Sequence, residues 1–319
     1  MRVNERGFAF GGITFRATGA GVNSEIYLPR GGVRPVAAYE HLCDPLSALH
    51  DRYTACVHIS DHHQRAIDRL TDAYRDDTRF RGLIIGGSVA KGYARDDSDV
   101  DFLIIATDEA FERHLAARDL FINRTDLCDY DGGYVDGKII NLAYLEDVAR
   151  KGNEPSRAAF EGAFAAYSRV PDLDALLQRI PVYPEAGHDE RIRAFYCMAF
   201  IQHWLFHEAD RHGNRYTLTR AASQLALFSA RLVLAHNRRL FPYHKWLPRA
   251  LEAAPEKPEG MMACFNDLLD EHNSKHASAL FSRVRDFEDW GVSDLEAYTW
   301  FMTDVEWSWM SGRTPIEDW

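Results

Sequence analysis

Apolar residues run along this chain in two rhythms, and the change comes near residue 151. Before it they gather in short runs bounded by glycine, serine and aspartate, which is the mark of strands. Leu83-Ile84-Ile85 and Phe102-Leu103-Ile104-Ile105 are two such runs and predict strands over residues 82–86 and 99–106. A helix is predicted ahead of them, capped by Ser60 or Asp61, because Ile67, Leu70 and Tyr74 fall on one face. Residues 108–117 read as another helix. Gly133-Tyr134-Val135 then predicts a strand that turns at Asp136-Gly137 and returns as Lys138 to Leu145, since Asp-Gly between apolar runs signals a hairpin. Nearer the start, Ile13-Thr14-Phe15 and Glu25-Ile26-Tyr27-Leu28 flank the glycine-rich ATGAGVNS and predict a further hairpin, to which no chemistry attaches.

After KGNEPSR (151–157) the alternating runs stop. Amphipathic patterns follow at about 188–211, 217–237, 259–272, 274–289 and 293–309, punctuated by Gly213, Pro242, Pro248, Pro255, Pro258 and Gly291. Such a series predicts a bundle, with Trp204, Trp246, Trp290, Trp300, Trp307 and Trp309 expected in its core. The predicted layout is an N-terminal extension over 1–55, an α/β (α+β) domain with a mixed sheet over 56–150, and an all-helical domain over 151–319.

The composition, 46% apolar and 27% charged over 319 residues, is that of an ordinary globular protein. A net charge of −11 argues against nucleic acid as a partner, which normally needs a basic stripe; it suits a cationic small molecule, and solubility alone explains it equally well. Cys43, Cys56, Cys128, Cys197 and Cys264 are scattered and odd in number, as expected of reduced thiols. The opening MRVNERGFAF has no apolar core of a signal peptide, and no apolar run reaches the ~20 residues of a membrane span, so a cytoplasmic protein is expected.

The chemistry is concentrated in GGSVAKGYARDDSDVD, residues 86–101. Gly86 and Gly87 let the chain turn sharply after one buried strand and let a ligand come close. A helix starting near Ser88 would turn free N–H groups and a positive dipole end toward a phosphate, and Ser88 adds a hydroxyl. Asp99 and Asp101, one residue apart, point to the same face of the next strand. Two like charges on one face repel unless a cation lies between them, and hard carboxylate oxygens suit Mg²⁺. Together these residues describe a metal-assisted nucleotidyl-transfer site.

The pattern G-S-x10-D-x-D, carried by Gly87, Ser88, Asp99 and Asp101, resembles that of the nucleotidyltransferase superfamily, the fold of DNA polymerase beta, aminoglycoside nucleotidyltransferases and minimal nucleotidyltransferases. The resemblance spans about residues 82–145, and the helical region is similar in kind to the two-domain, antibiotic-modifying members. It implies Asp99 and Asp101 as metal ligands, Gly87 and Ser88 at the β,γ-phosphates, and a third carboxylate on a later strand. Apolar-x-apolar spacing along Lys138 to Tyr144 puts that third position at Asn141, which is neutral and cannot take a proton. Asp136 is the nearest other acid, but its place is explained by turn chemistry.

Lys91 and Arg95 lie between the motif's halves and are candidates for phosphate contact, although exposed cations there are often merely solvated. In the two-domain enzymes that the chain resembles, a helical-domain lysine reaches the triphosphate, and Lys245, after the proline-bounded turn in FPYHKWLP, sits where it could do so; a surface lysine beside a packed Trp246 is the equal alternative. His203 and His207, at i, i+4, have a spacing able to bind a transition metal, but His-Glu-x-x-His is absent and paired histidines on a half-buried face are common. Glu208 or Asp210 could instead face the cleft as an acceptor-binding acid or replacement base. His58, His62 and His63 read as a solvated helix start.

The expectation is an enzyme that moves a nucleoside monophosphate, AMP from Mg-ATP, onto a hydroxyl of a small molecule. Aminoglycosides are the acceptor class the resemblance implies. Two alternatives stand beside it: an antitoxin-like AMPylator of a partner protein, and a nucleotide binder without turnover, which Asn141 makes possible.

Overall fold

The computed structural model describes residues 8–10, 13–15 and 58–312. The chain separates into two compact units, residues 1–56 and 57–319. In the first, β1 (Phe8–Phe10) pairs antiparallel with β2 (Ile13–Phe15), Phe10 opposite Ile13. This hairpin precedes the expected one, and the partner predicted at Glu25–Leu28 lies outside the described residues.

The second unit opens with α1 (Asp61–Arg75), followed by β3 (Phe80–Ile85), the single turn α2 (Gly87–Ala90) and β4 (Val100–Ala106). Next come α3 (Asp108–Ala117), β5 (Phe121–Arg124) and β6 (Val135–Ile140). Two helices, α4 (Leu142–Lys151) and α5 (Glu154–Ala158), lead to β7 (Phe164–Ser168). The five strands form one sheet in the order β5-β6-β4-β3-β7, with β4 and β6 parallel and the other neighbours antiparallel. The sheet is mixed, as expected.

Strand alternation divides the core. Leu83, Ile85, Val100, Phe102 and Ile104 face α1, where Ala66, Ile67 and Leu70 cover them. Ile84 and Ile105 face the other way, onto Leu145 and Val148 of α4 and onto Leu173, Leu176 and Leu177 of α6 (Leu173–Arg179). Both faces being covered explains why these runs read as continuously apolar. Each such side chain contributes about 1.5–3 kcal/mol on full burial.

Two sequence expectations change here. The Asp136-Gly137 step is not a turn: it lies inside β6, and Gly137 pairs with Phe102. A Cβ at Gly137 would stand 2.4 Å from the Phe102 carbonyl oxygen and 2.6 Å from its ring, so glycine is needed for the close strand approach. The sheet also takes β7 from beyond residue 150, so a domain boundary there would cut off its edge strand.

The helical part is built on the antiparallel pair α7 (His188–Arg211) and α8 (Arg215–His236), turned at Gly213 with φ +65°. Against it pack α9 (Leu247–Glu252), α10 (Met261–Asp270), α11 (Ser274–Arg285) and α12 (Asp294–Phe301). Asn214, Asn273 and Ser293 cap three of these helices by accepting from the third following N–H. Trp204, Trp307 and Trp309, expected in the core, are exposed, because they lie on the outer faces of α7 and the closing turns. Among the described residues no helix is long and apolar enough to cross a membrane.

One buried carboxylate ties the helices to the sheet domain. Glu154, 4% exposed, accepts from Arg231 at 3.0 Å and from the Phe241 amide at 2.9 Å, with Arg191 at 3.6 Å. Arg231 is held between the Phe195 and Phe241 rings, 4.2 and 4.4 Å from their centroids. Removing one partner of a buried pair leaves the others uncompensated. Glu154→Ala should therefore cost about 3 kcal/mol and lower the melting temperature by roughly 6–12 °C. Glu154→Gln, which keeps an acceptor for Phe241, should cost less. Thermal melts of both variants within a degree or two of the parent would show the clamp to be unimportant.

Candidate active site

Parallel pairing of β4 with β6 sets Asp101 directly opposite Asp136. In a parallel pair, residues in register point to the same face, and alternation brings Asp99 to that face as well. Asp101 shares it with Leu103 and Ile105, and Asp136 with Lys138 and Ile140, so the acids stand where the apolar face ends. One oxygen from each of Asp99, Asp101 and Asp136 can be chosen so that all three lie within 4.8 Å of one another.

The loop from β3 closes over them. The Gly86 amide donates to the Asp101 carbonyl at 3.0 Å, and Gly87 adopts φ +61°. A Cβ at Gly87 would stand 1.7 Å from Asp101 Oδ2, so only glycine admits both the turn and the carboxylate. Next to it, Ser88 Oγ is buried without a hydrogen-bond partner among the described residues. The residue before Asp99 is pinned from below: the Ser98 carbonyl accepts from His63 Nε2 at 2.9 Å and from the Tyr130 hydroxyl at 2.8 Å. His63 is 2% exposed, so it is a support of the site and not part of a solvated helix start. Burial lowers its pKa, which keeps the ring neutral with Nδ1 free to accept from Ser60 Oγ at 2.7 Å.

Crowding like charges has an electrostatic cost. Burial pushes the Asp101 carboxyl up to about 6, and Asp99 and Asp136 add to it; Lys245 and Lys138 draw it back. Asp136 is raised as well, again by burial first and Asp99 second. The charge of Asp99 holds the Tyr134 phenol above its ordinary value. The grouping fits a hard divalent cation on three grounds: oxygen donors from three carboxylates, mutual repulsion that a cation relieves, and a buried hydroxyl free beside it.

Comparison with known proteins finds a family match over the segment that carries these residues. A family model described as the nucleotidyltransferase domain matches residues 68–141. The chain carries a nucleotidyltransferase domain. Among solved structures, it is similar to a nucleotidyltransferase-like protein from Exiguobacterium sibiricum 255-15, at 11% identity over 76% of this chain and 80% of that one, with a TM-score of 0.43. No curated protein matches the chain.

Within the nucleotidyltransferase domain, the residues named from sequence fall in different places. Gly87, Ser88, Asp99 and Asp101 converge, and Asp136 joins them. Asn141 does not: it is the N-cap of α4, accepting from the Tyr144 amide at 3.0 Å and donating to Asp108 at 3.1 Å. The third acid is thus set one strand-length earlier than apolar spacing indicated. Lys91 is drawn away from the acids, its ammonium donating to the Ala158 carbonyl at 2.8 Å and to Glu161 at 3.1 Å. Arg95 forms an exposed pair with Asp97 at 2.9 Å.

Lys245 arrives from the helical domain on a 3-10 turn, His244–Trp246, close enough for its charge to act on Asp101 and Asp136. Its ammonium lies 5.3 Å from the Trp246 ring; that ring is 5.6 Å from Tyr93, over which Arg249 sits at 3.5 Å. Tyr243, at φ +74° and ψ 168°, holds the strap in a conformation rare outside glycine.

The raised Asp101 value has a sign. The fold favours the protonated form, so this stability is complete below the ordinary carboxylate value and is lost as pH rises through about 6. Without metal, the wild type should lose about 2 kcal/mol more than Asp101→Asn between pH of about 4.5 and about 7.5. Urea unfolding in chelator measures it, and parallel pH slopes for the two proteins would refute it.

Proposed function

We propose that this chain is a metal-dependent nucleotidyltransferase that moves AMP from Mg-ATP onto a hydroxyl of a small, cationic acceptor. The observation that carries the reading is the convergence of Asp99, Asp101 and Asp136 beside the orphaned Ser88 hydroxyl. Mg²⁺ held by the three carboxylates would offset triphosphate charge and favour attack at the α-phosphorus. Ser88 Oγ is free to donate to a phosphate oxygen, and so are first-turn N–H groups of α2, which have no acceptor within the helix. Lys245 supports the reading as a cation that can meet the phosphate charge. Asp136, whose carboxyl burial raises from its ordinary value, can take the acceptor's proton as the acceptor oxygen bonds to phosphorus and pyrophosphate leaves.

A cationic amino sugar is the acceptor that the net charge of −11 supports, and the resemblance to aminoglycoside-modifying enzymes points the same way. The alternative of nucleotide binding without turnover was motivated by Asn141. Asp136 beside Asp101 supports turnover instead. Modification of a partner protein has no specific observation in its favour.

Two measurements test the proposal. Pyrophosphate release from Mg-ATP should depend on an acceptor drawn from an amino-sugar panel, and Asp99→Asn, Asp101→Asn or Asp136→Asn should each reduce it by about 10²–10⁴-fold. Asn141 separates the two placements of the third acid. Asn141→Ala should leave the rate within a few-fold and cost about 1 kcal/mol of stability as a lost cap. If instead Asp136→Asn is harmless and Asn141→Asp raises the rate, the assignment of Asp136 is wrong. No acceptor-dependent pyrophosphate from the wild type, at any pH tested, would overturn the transferase reading itself.

A further inference from the structure

A second group of donor atoms converges in the helical domain. His203 and His207, one turn apart on α7, bring their Nε2 atoms to 3.0 Å. From α11, Ser278 Oγ enters the same spot, 3.4 Å from His203 Nε2 and 3.1 Å from His207 Nε2. One imidazole proton and one hydroxyl proton serve three edges, whereas a cation would meet three lone pairs at once. An ion about 2.05 Å from both Nε2 atoms would subtend about 94° between them, close to the octahedral value.

The surroundings hold the donors in place. The His203 ring stacks on Phe281 at 4.6 Å and 16°, which fixes its orientation. Asp210, three residues beyond His207 and on the same face, hydrogen-bonds Ser274 of α11 and supplies a negative charge one turn away. Arg285 is the opposing cation, and it is paired with Asp286. Imidazole nitrogens suit the ions from cobalt to zinc.

We propose that His203, His207 and Ser278 form a site for a divalent transition ion of this range, which ties α7 to α11. The site is independent of the transferase reading and uses none of its residues.

Full-length protein bearing Asp99→Asn and Asp101→Asn, and free of any histidine tag, is titrated with Zn²⁺ and with Co²⁺. One equivalent should bind per chain, with a visible Co²⁺ band, no near-ultraviolet thiolate band, and a rise in melting temperature. A lost ligand should weaken binding at least as much as a lost supporting partner, about 10–100-fold, so His203→Ala and His207→Ala should abolish the thermal shift. Ser278→Ala should cost less. Where an alanine variant does not fold, His203→Asn and His207→Asn retain polarity and volume and should lose the metal equally. Unchanged Zn²⁺ affinity in the folded histidine variants overturns the proposal. So does the absence of any Zn²⁺ binding by the parent up to millimolar concentration.

Discussion

Three carboxylates within reach of one another, and partly out of water, constrain much of the nucleotidyltransferase domain. Such a group gains nothing from its own proximity, so the fold has to impose it. It does so through parallel register, which makes Asp101 and Asp136 neighbours by construction, and through a glycine where any side chain would strike Asp101. His63 and Tyr130 complete the frame by gripping the Ser98 carbonyl. The supports are neutral groups, and the repulsion is left for a cation to relieve.

Positive charge within the chain is rationed around this centre. Lys91 and Arg95, nearest in sequence, are occupied by Glu161 and Asp97. The cations that act on the acids are Lys138, on β6 itself, and Lys245, which comes from the helical domain. The strap bearing Lys245 is fixed at both ends: Glu154 holds the Phe241 amide, and Tyr93 meets Trp246 and Arg249. Domain arrangement and site electrostatics are one problem here, solved partly by a buried carboxylate that belongs to neither the acids nor the strap.

Much of this was legible in the sequence where the signal is local. β3, β4 and their loop read correctly because apolar runs and paired glycines act over a few residues, and the long helices followed from their periodicity. Asp136 was not legible: Asp-Gly between apolar runs marks a hairpin turn and a glycine-relieved strand alike, and only the Phe102 ring, thirty-odd residues away, decides between them. Asn141 was misplaced because spacing within a run cannot tell the last strand residue from the next helix cap. Lys91 and His63 were misjudged for a related reason, since their partners, Glu161 and Ser98, are tens of residues distant. β7, with Ala165 and Ala166 at its centre, carries little strand signal and owes its conformation to β3.

That last strand bears on the modularity of the protein. β3 is an interior strand only because β7, encoded after two further helices, lies along it. A chain ended where the alternating pattern stops would keep every acidic residue yet present a bare row of amide and carbonyl groups on an apolar ribbon, the kind of edge that recruits other chains. The smallest piece that closes this edge is therefore longer than the piece that holds the acids, and β7 has to travel with them if the sheet is to keep its covered side.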